Sequence, residues 1–390
     1  MFNINAILER TKGDRWIWLI IVMLSMISIM AVYSATGAIA YKKGVTVERY
    51  LLFKHVIFVL LGIAMIYISH LLDYKYYAGI SKLLMIITIP LLIYTLFTGQ
   101  INGASRWVQV PIIGLTFQTS DLAKLSLITF LARMLTKKQE NIKDVKNSFL
   151  PIMGSVVVVF GLIAKANMST GLMLFGVSIL LLIVGRVSIK QISIVCAGGV
   201  VMIFFLFLTT DRAGTWHSRI DAFMHPELQS SDKTFQSDHS KIALATGGLF
   251  GKGPGNSTER NFLPHPYSDF IFAIIIEEYG TVGGLAIVVL YLVLLYRCVR
   301  IVTRSPKAFG ALLAAGLSFS LTIQAFANMA VAVGLGPVTG VPLPLVSMGG
   351  TSMIFTSIAF GIILSVSRDV EEHSVKKEEK VVVGTLPAMG

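Results

Sequence analysis

The sequence predicts an all-α integral membrane protein of about ten transmembrane helices with both termini in the cytoplasm. Three observations carry this. Hydrophobic residues make up 54% of the 390 residues and charged residues only 14%, about half the charge that coats a soluble domain. Apolar runs of about 20 residues, the length of a bilayer span, recur along the chain. The basic residues that give a net charge of +12 sit in short clusters between those runs, the pattern of orientation signals. Together these exclude a disordered chain, a coiled coil and a disulfide-stapled secreted domain, and they argue against a soluble enzyme. No recognition helix, zinc finger or aromatic–basic RNA motif accompanies the positive charge, so no nucleic-acid partner is expected.

Candidate spans begin near Trp16, Tyr50, Tyr77, Phe117, Phe149, Met168, Gln191, Tyr267, Ala308 and Leu343. The first follows Arg10, Lys12 and Arg15, and its apolar core runs to about Tyr33, too long for a signal-peptide core, which reads as an uncleaved anchor. With the N-terminus inside, most basic residues fall on the cytoplasmic side, from Arg10 through Arg133, Lys137 and Lys138 to Arg300, Arg304 and Arg368. The short outer loops then hold few: Lys42, Lys43, Arg49, Lys54, Arg106 and Lys165. One long outer loop, about residues 209–266, separates the seventh and eighth spans. Residues 1–370 read as one membrane domain and 371–390 as a flexible cytoplasmic tail.

Two stretches break the helical pattern. ALATGGLFGKGPGNS in the long loop is rich in glycine, yet it lacks the G-x-x-x-x-G-K-[ST] spacing of a phosphate loop, so no nucleotide site is expected. GLGPVTGVPLPLVSMGG, between Gly334 and Gly350, cannot be a regular helix. Non-helical backbone at membrane depth must be enclosed by protein or line a wet cavity, so this stretch, with Ser347 and Gly349, is expected to form a cavity wall. Cys196 and Cys298 lie far apart in apolar surroundings, so neither a disulfide nor a thiolate metal site follows. His217, His225, His239 and His265 have no metal-ligand spacing. No haem motif is present.

In so apolar a chain, ionisable residues inside or at the ends of spans are the informative ones. Asp121 and Lys124 are three apart and share a helix face, either as a self-neutralising structural pair or as part of a polar site. Asp269 stands at the start of the eighth span, where it can cap the helix or act chemically. Glu277 and Glu278 lie deeper in the same span, serving either an interior site or a broken neighbouring helix. Arg106 has the bidentate fork suited to phosphate, and Trp107 beside it suits an interface anchor. Lys252 gives the glycine loop a positive charge.

Several stretches, in order and spanning nearly the whole chain, resemble the SEDS family (shape, elongation, division and sporulation) of bacterial peptidoglycan polymerases: AVYSAT at Ala31–Thr36, NGASRWV at Asn102–Val108, GLTFQTSDLAKL at Gly114–Leu125, the glycine loop at Ala243–Ser257, FLPHPYSDFIFAIIIEEYGTVGG at Phe262–Gly284, and Gln324–Ser352. GASRW is closer to the division-type and sporulation-type members than to the elongation-type RodA. Departures are Thr119 and Asp121 where the family has proline and glutamate, ANMSTG at Ala166–Gly171 in place of an acidic stretch, and His265 where glutamate is common.

The resemblance implies a glycosyltransferase of the cytoplasmic membrane that polymerises lipid II, an undecaprenyl-pyrophosphate disaccharide-pentapeptide, at the outer face during septal wall synthesis. It implies Asp269 as general base on the acceptor hydroxyl. Arg106, Trp107, Asp121, Lys124, Lys252, Glu277, Glu278, Ser347 and Gly349 are the candidate substrate contacts. It also implies Mg²⁺ or Mn²⁺ at the pyrophosphate, a class B penicillin-binding transpeptidase as partner, and other divisome membrane proteins. The alternatives are a lipid II flippase, an elongation-type polymerase, or a scaffold that only recruits the transpeptidase.

Overall fold

Asp14 starts the first helix. One carboxylate oxygen accepts from the backbone N–H of Trp16 (2.9 Å) and Ile17 (3.3 Å), the groups that a helix N-terminus leaves unpaired. The other oxygen takes the Arg297 guanidinium at 2.7 Å, fastening this end to the helix Ile271–Arg304. This computed structural model describes residues 12–43, 45–97, 107–109, 116–209, 213–226, 231–264 and 266–385.

The helices are α1 (Arg15–Lys43), α2 (Val45–Leu71), α3 (Lys75–Phe97), α4 (Thr119–Lys137), α5 (Leu150–Ala166), α6 (Met168–Val184), α7 (Ile189–Thr209), α8 (Ala213–Met224), α9 (Ser231–Gly247), α10 (Ile271–Arg304), α11 (Ala308–Ala332) and α12 (Thr351–Thr385). A two-stranded hairpin, β1 (Trp107–Gln109) and β2 (Thr116–Gln118), leads into α4. Eight helices among the described residues are long and apolar enough to cross a membrane: α1, α2, α3, α5 with the turn before it, α7, α10, α11 and α12. α4 and α6 stand where the other two spans are expected: α6 is apolar but shorter, at 17 residues, and α4 carries Asp121, Lys124 and Arg133. The long connection expected between the seventh and eighth spans contains two helices of its own, α8 and α9. The C-terminal stretch, expected as a tail from residue 371, is helical to Thr385.

α11 and α12 form the centre: 72% of each apolar window is buried, against 17% for α7 at the edge. The outward faces of α1, α2, α3 and α7 carry Leu19, Met26, Phe53, Leu60, Ile86 and Phe204, all exposed, as expected of helices that meet lipid rather than water.

The last span is expected from about Leu343, but α12 begins at Thr351. Residues 335–350 run as loop and turns through the interior. What permits this is a set of donors to carbonyls that the missing helix would have satisfied. Asn328 Nδ2 donates to the Val341 carbonyl (2.7 Å) and Gln324 Nε2 to that of Pro342 (2.9 Å). Within the segment, the Ser347 N–H donates to the Leu343 carbonyl (2.9 Å). The Tyr291 hydroxyl donates to the Pro344 carbonyl. Ser28 Oγ, itself bonded to His55, donates to Val346 at 2.8 Å. The donors come from α1, α10 and α11, so hydropathy along Leu343–Met348 cannot reveal the break.

A second break sits inside α10. Gly280 has φ 70° and ψ −174°, a conformation that costs a residue with a Cβ dearly. The chain after α9 plugs the gap. The N–H groups of Lys252 and Gly253 donate to the Glu277 and Glu278 carbonyls, each at 2.9 Å, and the Thr281 N–H donates to the Gly248 carbonyl at 2.9 Å. A Cβ on Gly251 would land on the Glu278 carbonyl, and one on Gly280 on the Leu249 carbonyl. The glycines expected as a loop thus let two backbones touch.

Candidate active site

Asp269 lies two residues before α10 begins at Ile271, yet it does not cap that helix. The N-cap position is Phe270, with no side-chain cap. Instead the backbone around Asp269 is held by three donors. The Met348 N–H reaches the Tyr267 carbonyl (2.9 Å), Ser347 Oγ the Ser268 carbonyl (2.6 Å), and Asn328 Nδ2 the Asp269 carbonyl (2.9 Å). The broken segment before α12 and the middle of α11 therefore fix where this aspartate stands. The residue is half-buried. Among the described residues its carboxylate has one hydrogen-bond donor, the Ser268 hydroxyl at 2.9 Å. Burial, and then the Asp269 carboxylate, push the Tyr267 hydroxyl above its ordinary range, so this neighbour stays neutral.

Asp121 and Lys124 meet as their spacing predicts, at 2.8 Å on α4. The Lys124 ammonium also donates to Gln324 Oε1 at 2.7 Å. The second carboxylate oxygen of Asp121 is buried with no partner among the described residues. Two small cavities flank the Lys124–Gln324 contact. One is bordered by Gln118, Thr170 and Pro342, the other by Asp121, Thr356 and Ala359. Asp269 lines neither, but it is joined to them through α11: Asn328 holds Asp269, and Gln324, one turn away, holds Lys124.

Trp107 pairs with Gln118 in the hairpin, and Gln118 Nε2 donates to Ser120 at 2.9 Å. The strand carrying Trp107 thus runs beside the start of α4, close to Asp121. Arg106, the preceding residue, lies outside the described residues, as does His265.

Glu277, Glu278 and Lys252 are brought together, but around the break in α10. Glu277, with a fully buried side chain, accepts from Lys252 Nζ at 2.6 Å. It also accepts from the Thr258 N–H (3.0 Å), the Thr258 hydroxyl (2.8 Å), the Glu259 N–H (3.3 Å) and Ser257 Oγ. Glu278 accepts from the Ser34 hydroxyl and from the Ser257 N–H at 3.2 Å. Arg260 adds a bond to the Ser34 carbonyl at 3.0 Å. Ser347 is spent on the Ser268 carbonyl and the Leu343 N–H (2.8 Å). Gly349 packs on Ser352, and its carbonyl accepts from the Ser352 N–H at 3.0 Å.

Gln324 and Asn328 are the site residues that composition did not single out. Their signal is an i, i+4 pair of amides on one face of an otherwise apolar helix, QAFAN. Ser34 and Arg260 carry no comparable signal. Among the described residues, no group of three or more His, Cys, Asp and Glu side chains gathers as metal ligands.

With this geometry in hand, the chain can be set beside known proteins. Residues 14–372 match the family described as cell cycle protein, FtsW/RodA/SpoVE. The probable peptidoglycan glycosyltransferase FtsW of Trichlorobacter lovleyi is 33% identical over 359 residues, 91% of this chain and 93% of its own. Stage V sporulation protein E of Bacillus subtilis is 34% identical over 369 residues, 92% of this chain and 98% of its own. Two solved structures share the fold. A chain of a peptidoglycan synthase complex, solved for its coordination of polymerization and crosslinking, matches with a TM-score of 0.70 at 22% identity, covering 92% of this chain and 98% of that one. The rod shape determining protein RodA of Thermus thermophilus matches at 0.65 and 24%, covering 92% and 97%.

Proposed function

Since this chain belongs to the FtsW/RodA/SpoVE family of multi-pass membrane proteins, we propose that it is a peptidoglycan glycosyltransferase that polymerises lipid II at the outer face of the bacterial cytoplasmic membrane, with Asp269 as the base. One observation carries the assignment of the base. Asp269 has its backbone fixed by Asn328, Ser347 and Met348 while its carboxylate is neither a helix cap nor an ion-pair partner among the described residues. A carboxylate used for packing is surrounded by donors; one that must receive a proton is held in place and left open.

In the step proposed, a sugar hydroxyl of the acceptor attacks C1 of the donor sugar. The hydroxyl proton passes to Asp269, the new C1–O bond forms, and the old C1–O bond breaks with its electron pair leaving on the lipid pyrophosphate. Lys124, and Arg106 by the resemblance, would hold the pyrophosphate before and during bond breaking. The names of the relatives support the reaction class, and the septal role follows the division-type resemblance. A class B penicillin-binding transpeptidase is the expected partner, in line with the synthase complex that shares the fold.

The test is polymerisation of lipid II by the purified chain together with its transpeptidase. Asp269→Asn should lower glycan synthesis by about 10²–10⁴-fold, the range for removing a general base, while lipid II binding persists. Polymerisation at the wild-type rate would remove Asp269 from the role. A wild-type complex that makes no glycan but moves lipid II across vesicles would replace the polymerase with a flippase.

A further inference from the structure

On α11, Gln324 and Asn328 lie one turn apart, about 6 Å along the axis. Both are buried: Asn328 is 1% exposed and Gln324 6%. Their amides are oriented by what they meet. Both Asn328 contacts are backbone carbonyls, those of Asp269 (2.9 Å) and Val341 (2.7 Å), so its NH₂ must face them. Gln324 meets the Pro342 carbonyl at 2.9 Å on its nitrogen side and the Lys124 ammonium at 2.7 Å on its oxygen side. A flipped amide would set an oxygen against a carbonyl and an NH₂ against a cation. Neither side chain can rotate without losing two bonds.

The two amides repeat one device. Each donates to one of two consecutive carbonyls, Val341 and Pro342, of the non-helical segment. Each uses its remaining contact to hold one group of the site: the Asp269 peptide in one case, the Lys124 ammonium in the other. Because one rigid helix carries both amides, a single turn of α11 ties the Asp269 peptide to the Lys124 ammonium. Asn328 Oδ1 is buried and has no partner among the described residues. An orphaned acceptor is costly, and its retention here marks a side chain chosen for its two donors.

We infer that Asn328 is a positioning residue for the Asp269 base and Gln324 a positioning residue for the Lys124 cation, with α11 as the ruler that keeps base and cation in register. This rests on the reading of Asp269 as base. It gives each amide its own kinetic signature. Loss of the Asn328 bond frees the peptide that aims the base, so the chemical step suffers. Loss of the Gln324 bond leaves the ammonium held by Asp121 alone, so it shifts where it meets the pyrophosphate in ground and transition state alike, and binding suffers.

The experiment compares Asn328→Leu with Gln324→Leu in the full chain with its transpeptidase, measuring kcat and KM for lipid II alongside thermal melting. The two changes are matched in packing terms, since each replaces an amide by an apolar side chain and orphans a carbonyl of the same segment. Asn328→Leu should lower kcat by about 100-fold, the cost of a misplacement near 1 Å, with KM within about twofold. Gln324→Leu should raise KM by about tenfold, as for one lost hydrogen bond to a charged group, with kcat within about twofold. Asn328→Ser, which retains one donor, should give an intermediate kcat and serves where the leucine variant does not fold. Loss of kcat and rise of KM together in both variants, in proportion to melting temperature, would overturn the inference, as would a normal kcat in Asn328→Ser and Asn328→Leu. Asp269→Asn in the same assay separates the layers: an active Asp269→Asn removes the base reading itself, whereas an inactive Asp269→Asn beside a normal Asn328→Leu removes only the positioning role.

Discussion

Asp269 and Glu277 belong to one stretch of chain, the entry and first turns of α10, and both are acids in apolar surroundings. Their partners are opposite in kind. At Asp269 the backbone is saturated and the carboxylate is nearly bare, with one hydroxyl donor among the described residues. At Glu277 the carboxylate collects donors from Lys252, Ser257, Thr258 and Glu259. The acid itself says little about its use in such a protein; the distribution of donors says more. A saturated carboxylate has its charge fully compensated and nothing left to accept, which suits it to holding a loop in the break at Gly280. A sparsely bonded one at a fixed position can still accept a proton.

This contrast breaks if the two acids respond alike to substitution. Asp269→Asn should abolish polymerisation and leave thermal melting of the protein close to wild type, because few bonds are lost. Glu277→Leu should do the reverse at larger structural cost. It leaves Lys252 without its anionic partner and orphans the Ser257 hydroxyl and the Glu259 amide. Breaking a buried ion pair in this way costs about 3–5 kcal/mol, which detergent melting should read as the largest fall of any variant considered. A Glu277→Leu protein that melts normally but fails to polymerise would place Glu277 with Asp269 instead.

Gly251→Ala sharpens the same comparison without touching a charge. Gly251 has φ 81°, and an added Cβ would collide with the Glu278 carbonyl that the Gly253 N–H now meets at 2.9 Å. Backbone strain of this kind costs about 1–3 kcal/mol, and here the loop must also withdraw from the break. The expected result is a lower melting temperature and faster proteolysis between α9 and α10. Unchanged melting would show that the loop does not support α10.

Much of the frame was legible in the residues. The starts of α1, α3 and α11 fall within two residues of the positions that hydropathy picks, Trp16, Tyr77 and Ala308, because a lipid-facing helix announces itself by composition over one continuous run. The Asp121–Lys124 contact was legible for a similar reason: both partners lie within one turn. What was not legible depends on groups far apart in sequence. Leu343–Met348 is as apolar as a span, yet it is not helical, because Ser28 and Tyr291 supply donors from two other helices. Asp269 read equally well as a helix cap until Asn328, Ser347 and Met348 were seen to hold its peptide. The glycine loop looked like an extramembrane feature because only the folded chain brings Gly248 and Lys252 against the break at Gly280.

Lys252 is where the two kinds of acid environment make their finest distinction. Its positive charge and glycine-rich setting fit a pyrophosphate contact, but its ammonium is given over to Glu277 at 2.6 Å and the Thr258 hydroxyl at 3.0 Å. If that pairing is its whole role, Lys252→Met should cost less than Glu277→Leu, since Glu277 keeps the Ser257, Thr258 and Glu259 donors and can take up a proton. About 1–2 kcal/mol is expected, the scale of one charged hydrogen bond discounted for a side chain 28% exposed. KM for lipid II should not move, because Lys252 sits at the break in α10 and lines neither of the cavities beside Lys124. A KM raised by an order of magnitude with normal melting would mean that Lys252 leaves Glu277 for the substrate, and the saturated cluster would then be part of the site rather than its scaffold.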